Sequence, residues 1–203
     1  MRYAFLVCAL AVGCRSTPTL SVPLLSHASM AEDFNTYELE RVGLMPTLGR
    51  TVDPSSATAL EQGLLAEVSR GTPLELVPLT AHDLEEIRGS DPHRRGRYDV
   101  RTILEVSRRY RLDAVMFATI LQQKQYPPMM LGVQVDVVAA ETGLVIWSGT
   151  VHLDANDFEV QRGLEAYFGR ENGEEAKANN WDLALLSPTR FAHFAAYQIA
   201  RVL

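Results

Sequence analysis

Ala114-Val115-Met116-Phe117-Ala118-Thr119-Ile120-Leu121 is almost continuously apolar. A run of that length with no polar face predicts a strand covered on both sides, at the centre of a sheet. Downstream, Val133, Val135, Val137 and Ala139 alternate with Gln134 and Asp136, so the next strand has one wet face. Glu141-Thr142-Gly143 is a tight turn, and Leu144 to Leu153 returns as the partner strand, with Val145, Trp147, Val151 and Leu153 on its buried side.

Upstream, Arg41 to Leu48 predicts a first strand, Val42 and Leu44 on one face and Gly43 and Met45 on the other, ended by Pro46. Asp53-Pro54 is a helix start, an N-cap followed by proline at the first helical position. Ala57, Leu60, Leu64 and Val68 recur at helical spacing as far as Gly71, and Leu74 to Leu79 predicts a second short strand. After a polar stretch from Asp83 to Tyr98, Asp99 is expected to cap a helix whose apolar side is Val100, Ile103, Leu104, Val106 and Tyr110.

Beyond the hairpin, Asp157 to Phe168 predicts a helix stopped by Gly169, with Phe158, Leu164 and Phe168 facing inward. Arg170 to Asp182 is a polar, acidic loop. Ser187-Pro188 opens a last helix striped by Phe191, Phe194, Ala195, Ile199 and Val202. The order β-α-β-α-β-β-β-α-α predicts an α/β (α+β) fold: a mixed sheet of about five strands, with one βαβ crossover and an antiparallel meander, covered by about four helices. No internal repeat is evident.

The amino terminus has a different character. Arg2 is followed by an uninterrupted apolar stretch, Tyr3 to Val12, and then Gly13-Cys14. That is a secretory signal pattern, too short to span a bilayer. Leu10-Ala11-Val12-Gly13-Cys14 resembles the bacterial lipobox, with Gly13 matching well and Ala11 standing where leucine is commoner. The resemblance implies cleavage before Cys14, acylation of that cysteine with chains such as palmitate, and a lipid anchor in a membrane. Arg15 is not the aspartate that retains such lipoproteins at the inner membrane, which implies an outer-membrane lipoprotein facing the periplasm. The expected organisation is a signal peptide over 1–13, a lipidated cysteine and flexible tether over 14–37, and one periplasmic domain over 38–203. Cys8 and Cys14 are the chain's two cysteines, so the predicted domain has no thiol, as suits an oxidising compartment.

The chain's 203 residues suffice for one domain with a real core, and a formal net charge of −6 argues against nucleic acid as a partner. His27, His82, His93, His152 and His193 fall in no metal-ligand spacing, so neither metal nor cofactor is expected. Ser148 sits in Trp-Ser-Gly on a strand and not in a nucleophile elbow. The acidic pairs Glu85-Glu86 and Glu174-Glu175 suit solvated segments. No catalytic constellation emerges, and a non-enzyme is expected.

Two stretches are candidate contact surfaces. His93-Arg94-Arg95-Gly96-Arg97-Tyr98, continued by Arg101, Arg108, Arg109 and Arg111, is a local positive region: either a solvated loop and helix face balanced by Asp91, Asp99 and Glu105, or a docking patch whose arginine forks suit an acidic partner, a glycan or lipid headgroups. Tyr126-Pro127-Pro128-Met129-Met130 combines rigidity with adaptable apolar groups, in Tyr126, Met129 and Met130, and reads equally well as a buried strand connection.

Val42-Gly43-Leu44-Met45-Pro46 ahead of a helix, Arg111-Leu112-Asp113-Ala114-Val115, and Thr142-Gly143-Leu144-Val145-Ile146-Trp147-Ser148 together carry a broader likeness. From about residue 40 to 155 the pattern resembles a group of envelope proteins. It includes lipoprotein activators of penicillin-binding proteins, the curli-secretion lipoprotein and the amino-terminal domain of TolB. The resemblance implies a non-catalytic module that binds an envelope protein partner and supports a cell-wall, secretion or appendage machine. The short Gln122 to Leu131 connection, with Pro127-Pro128, lacks the long alternating segment a curli-type pore requires. The other readings are a carrier of lipid or another small ligand and, further off, an unrecognised hydrolase.

Overall fold

In the computed structural model, which describes residues 21–49, 52–83, 85, 100–171 and 181–203, the apolar run becomes the middle of a seven-stranded sheet. The strands are β1 (Ser26–Met30), β2 (Arg41–Leu44), β3 (Leu48–Gly49), β4 (Glu75–Pro78), β5 (Ala114–Lys124), β6 (Met130–Ala139) and β7 (Val145–Asp154). Their order is β1-β7-β6-β5-β2-β4, with β3 paired to β5. β2, β4 and β5 are parallel, while β5-β6-β7-β1 is antiparallel throughout. The mixed α/β class is as expected; the strand count is not.

Four helices complete the described fold: α1 (Pro54–Gly71), α2 (Val100–Tyr110), α3 (Phe158–Glu171) and α4 (Pro188–Ala200). Two of them begin as the sequence predicts. The Asp53 carboxylate accepts from the Ser56 amide at 3.0 Å, and the Ser187 hydroxyl from the Arg190 amide at 3.3 Å, each with proline in the first helical turn. Hydrogen bonds from Ser55 and Ser56 hold the Asp53 carboxyl below the usual carboxylate range.

The chain crosses between parallel strands twice, not once. It passes from β2 through α1 to β4, then back through α2 to β5 on the other side of β2. Crossovers of one hand that step in opposite directions along a sheet must lie on opposite faces, which separates α1 from α2. On the inner face, Leu60, Leu64 and Val68 of α1, Leu164 of α3 and Phe191, Phe194 and Ile199 of α4 join Val42, Leu44, Met116, Val133, Val135, Val137, Trp147 and Leu153 in the main core. Gly63 lets α1 meet α4 closely, for a Cβ there would lie 2.7 Å from that of Ala196. On the outer face, Ile103 and Val106 of α2 cover Met45, Val115, Phe117 and Val138 in a smaller cluster.

Several boundaries differ from expectation. The folded body starts well before residue 38, because β1 adds itself to the sheet beside β7. Its hold is polar: buried Gln198 of α4 accepts from the Leu25 amide at 3.0 Å and donates to the Pro23 carbonyl at 3.0 Å. The Ser26 hydroxyl donates to the Gln198 carbonyl at 2.6 Å, and Arg201 donates to the carbonyls of Val22 and Pro23. α3 runs past Gly169 to Glu171, since that glycine's site is open and costs only its helix propensity. Phe158 is 70% exposed and takes no part in the core. Val145 joins the outer cluster, because the β6–β7 register shifts beside it. Asp99, the expected cap of α2, lies outside the described residues.

Candidate functional site

The uneven cover of the sheet defines the first candidate surface. α2 lies over β5 and its neighbours, and the outward side chains of β6, β7 and β1 continue beyond it in cross-strand rows. One row runs Phe117–Asp136–Ser148–Ser29, and the next Thr119–Gln134–Thr150–His27. Each begins on β5 and ends at the exposed edge strand, and Phe117 is the buried member. In the first two rows the polar groups bond to one another: the Ser148 hydroxyl donates to Asp136 at 2.6 Å, and the Gln134 amide donates to the same carboxylate at 2.9 and 3.1 Å. Ser148 is thus a strand serine whose proton is committed to Asp136.

Beside these rows Gly132 faces His152, and a dip of about 340 Å³ opens between Leu25, His27, Leu121, Gln122, Thr150 and His152. The rows end at β1, whose outer side pairs with no other strand among the described residues. β1 reads Ser-His-Ala-Ser-Met, without the charges or proline that guard most sheet edges.

A second, larger recess lies where α2 ends. It is an open recess of about 800 Å³ between the chain after β1, the carboxyl end of α2 and the β6–β7 turn, with the exposed Arg108, Arg111, Glu38 and Glu141 among its lining. α2 closes with a 6→1 bond from the Leu112 amide to the Ser107 carbonyl, and Arg111 takes the left-handed conformation at φ 55° that glycine usually fills there. Asp113 fixes the start of β5, accepting from the amides of Glu40 at 2.9 Å and Arg41 at 2.8 Å.

The same carboxyl end of α2 is secured from another side by Asp83, which binds its last two residues, Arg109 and Tyr110. This fully buried carboxylate accepts from the Thr80 amide and hydroxyl, the Tyr110 hydroxyl and Arg109 at 2.8 Å. Burial pushes its pKa up, but the hydrogen bonds from Thr80, Tyr110 and Arg109 outweigh it and hold the carboxyl below its ordinary value. The same bond to Asp83, aided by burial, raises the Tyr110 hydroxyl. Arg109 is accordingly a structural latch rather than part of a docking patch.

Of the residues singled out from sequence, Cys14, Arg94, Arg95 and Arg97 lie outside the described residues. Arg101 is exposed on α2. Tyr126 is 77% exposed beside the cis Pro127-Pro128 bond, whereas Met129 is 1% exposed and fills the main core, and Met130 is half-buried at the start of β6. The stretch therefore presents Tyr126 rather than a three-residue apolar surface. Among the described residues no group of three or more His, Cys, Asp and Glu could hold a metal ion, and no helix is long and apolar enough to cross a membrane.

No known protein family matches the chain, and no curated protein is similar to it in sequence. Solved structures do resemble it in part. The PelC dodecamer from Paraburkholderia phytofirmans matches at 12% identity and a TM-score of 0.47, over 68% of this chain and 87% of its own. A lipoprotein from Neisseria meningitidis matches at 14% identity and a TM-score of 0.42, over 66% and 97%. The carboxyl-terminal domain of Escherichia coli LpoB matches at 15% identity and a TM-score of 0.37, over 59% and 91%. At such values the overlap is partial, and no residue's role passes from these proteins to this chain.

Proposed function

We propose that this protein is a non-catalytic lipoprotein of the bacterial envelope, tethered through Cys14 to the outer membrane and holding a protein partner against the open outer face of its sheet. The observation that carries the reading is the three-strand polar surface of β6, β7 and β1, which no helix covers among the described residues and which ends at an edge strand without charge or proline. A fold that needed only stability would cover such a surface or charge its edge. Its hydroxyl, amide and imidazole groups suit a polar, hydrated contact with another protein.

The grip of Gln198 and Arg201 on residues 22–26 supports the anchored arrangement. It fixes the point where the amino-terminal segment joins the folded body. Cys14 precedes Val22 by eight residues, a span of at most about 28 Å when fully extended. An acylated Cys14 would therefore keep that corner of the domain near the lipid headgroups, while the machine it serves is reached by the open face. Carriage of a lipid would call for deep apolar walls, and the recess at the end of α2 and the dip beside Gly132 are lined by polar groups as well as apolar ones.

The anchor is tested by growing cells with radiolabelled palmitate and fractionating their membranes. Label is expected on the intact protein and absent from a Cys14→Ala variant, which should leave the membrane fraction. An unlabelled protein, or a variant that stays with the membrane, would remove the anchor from the account.

A further inference from the structure

The recess at the carboxyl end of α2 holds a feature that the partner-binding reading leaves unused. Ser107 lines it and is 2% exposed, and its hydroxyl has no hydrogen-bond partner among the described residues. Serine on a helix normally spends such a hydroxyl on a carbonyl one turn back or on water. Around it stand Arg108 and Arg111 on one side of the charge balance and Glu38 and Glu141 on the other. Among the described residues none of these four forms an ion pair, although Arg41, Arg70 and Arg162 each find a carboxylate nearby. Arg111 also occupies a left-handed helix-ending position, where arginine is strained and glycine is not. Leu39, Leu104 and Leu112 supply the apolar part of the lining.

We propose that this recess binds a short zwitterionic peptide. A guanidinium donates two parallel hydrogen bonds to a carboxylate, so Arg108 and Arg111 take the peptide's carboxyl end. Glu38 and Glu141 take its ammonium end, and the Ser107 hydroxyl bonds to the backbone between them. A lone anion would leave the two glutamates facing it, and a lone cation would meet the arginines. A ligand with one charge of each sign satisfies both pairs. The apolar lining favours small aliphatic side chains. The inference stands on the recess alone and survives if Cys14 carries no lipid.

Trialanine is the probe, titrated calorimetrically into the purified full-length protein in detergent. It should bind saturably, with N-acetyl-trialanine and trialanine amide each about tenfold weaker or worse, since each has lost one charge. Two variants separate binding from folding. Ser107→Ala removes an unpartnered buried hydroxyl, and Arg111→Gly relieves a strained turn. Neither should lower the midpoint of thermal unfolding, and each should weaken trialanine about fivefold or more. The proposal falls if trialanine fails to saturate across the millimolar range or if the blocked peptides bind as tightly. Unchanged affinity in both variants would also overturn it, by placing the peptide elsewhere.

Discussion

The two faces of the sheet are built on different terms. Among the described residues the inner face carries three helices and a continuous apolar core from Val22 to Ile199, with Tyr167 of α3 packed against Phe194 and Tyr197 of α4 at ring separations of 5.6 and 4.6 Å. Among the described residues the outer face has one amphipathic helix, part of a cluster of nine buried residues, and beyond it a polar strip in which Asp136 gathers Gln134 and Ser148. Burying each large apolar side chain contributes about 1.5–3 kcal/mol, so the inner layer alone can hold the sheet together. The outer strip is thereby released from structural duty. A domain that secures its fold from one side keeps the other available for contact.

That contrast can be broken by substitution. The largest effect should come from Phe194→Ala, which empties the α3–α4 junction and is expected to cost about 3–5 kcal/mol in urea unfolding. A loss no larger than that of an outer-strip variant would erase the distinction. Asp83→Asn should come next, at about 2–3 kcal/mol at neutral pH, because Arg109, Tyr110 and Thr80 lose a charged acceptor. Its pH dependence fixes the sign. The folded-state pKa of Asp83 lies below the unfolded value, so its contribution is complete above about pH 4 and fades as pH falls through the folded value. The gap between wild type and Asp83→Asn should therefore close in acid. A gap that stays constant would deny the carboxylate its role in latching α2.

Gln198→Ala should cost about 1–3 kcal/mol, since it orphans the Leu25 amide and leaves the Pro23 carbonyl to Arg201 alone. Hydrogen exchange should show β1 opening ahead of β6 and β7; simultaneous opening would mean that the strand is held by its ladder and not by the clamp. The smallest effect belongs to Ser148→Ala on the outer strip, at about 1 kcal/mol or less, because Asp136 keeps Gln134 and faces water. A loss of several kcal/mol there would show the strip to be structural.

Most of the inner face was legible from the sequence because it is written in periodicity and caps. Val42 and Leu44, the Asp53-Pro54 start, the β5–β6–β7 meander and the Ser187-Pro188 start all signal locally. β1 escaped because its side chains do not alternate and its principal polar partner, Gln198, lies 172 residues away from Ser26. The second crossover escaped because nothing in α2's amphipathic pattern says which face it covers. Among site residues, Arg108 and Arg111 stood out as part of a basic cluster, but Ser107 could not. An unpartnered buried hydroxyl is a property of the assembled fold. For Met129 the sequence leaves a surface loop and a buried strand connection equally open, because an apolar residue after two prolines has the same spelling in both, and in the fold it fills the core.

The most direct test of the two-face account is a photocrosslinking amino acid placed singly at Thr150, on the open strip, and at Glu165, exposed on α3, in the native cell. The account predicts a discrete protein adduct from position 150 and none from position 165. An adduct from position 165 with none from position 150 would contradict it, as would silence from both.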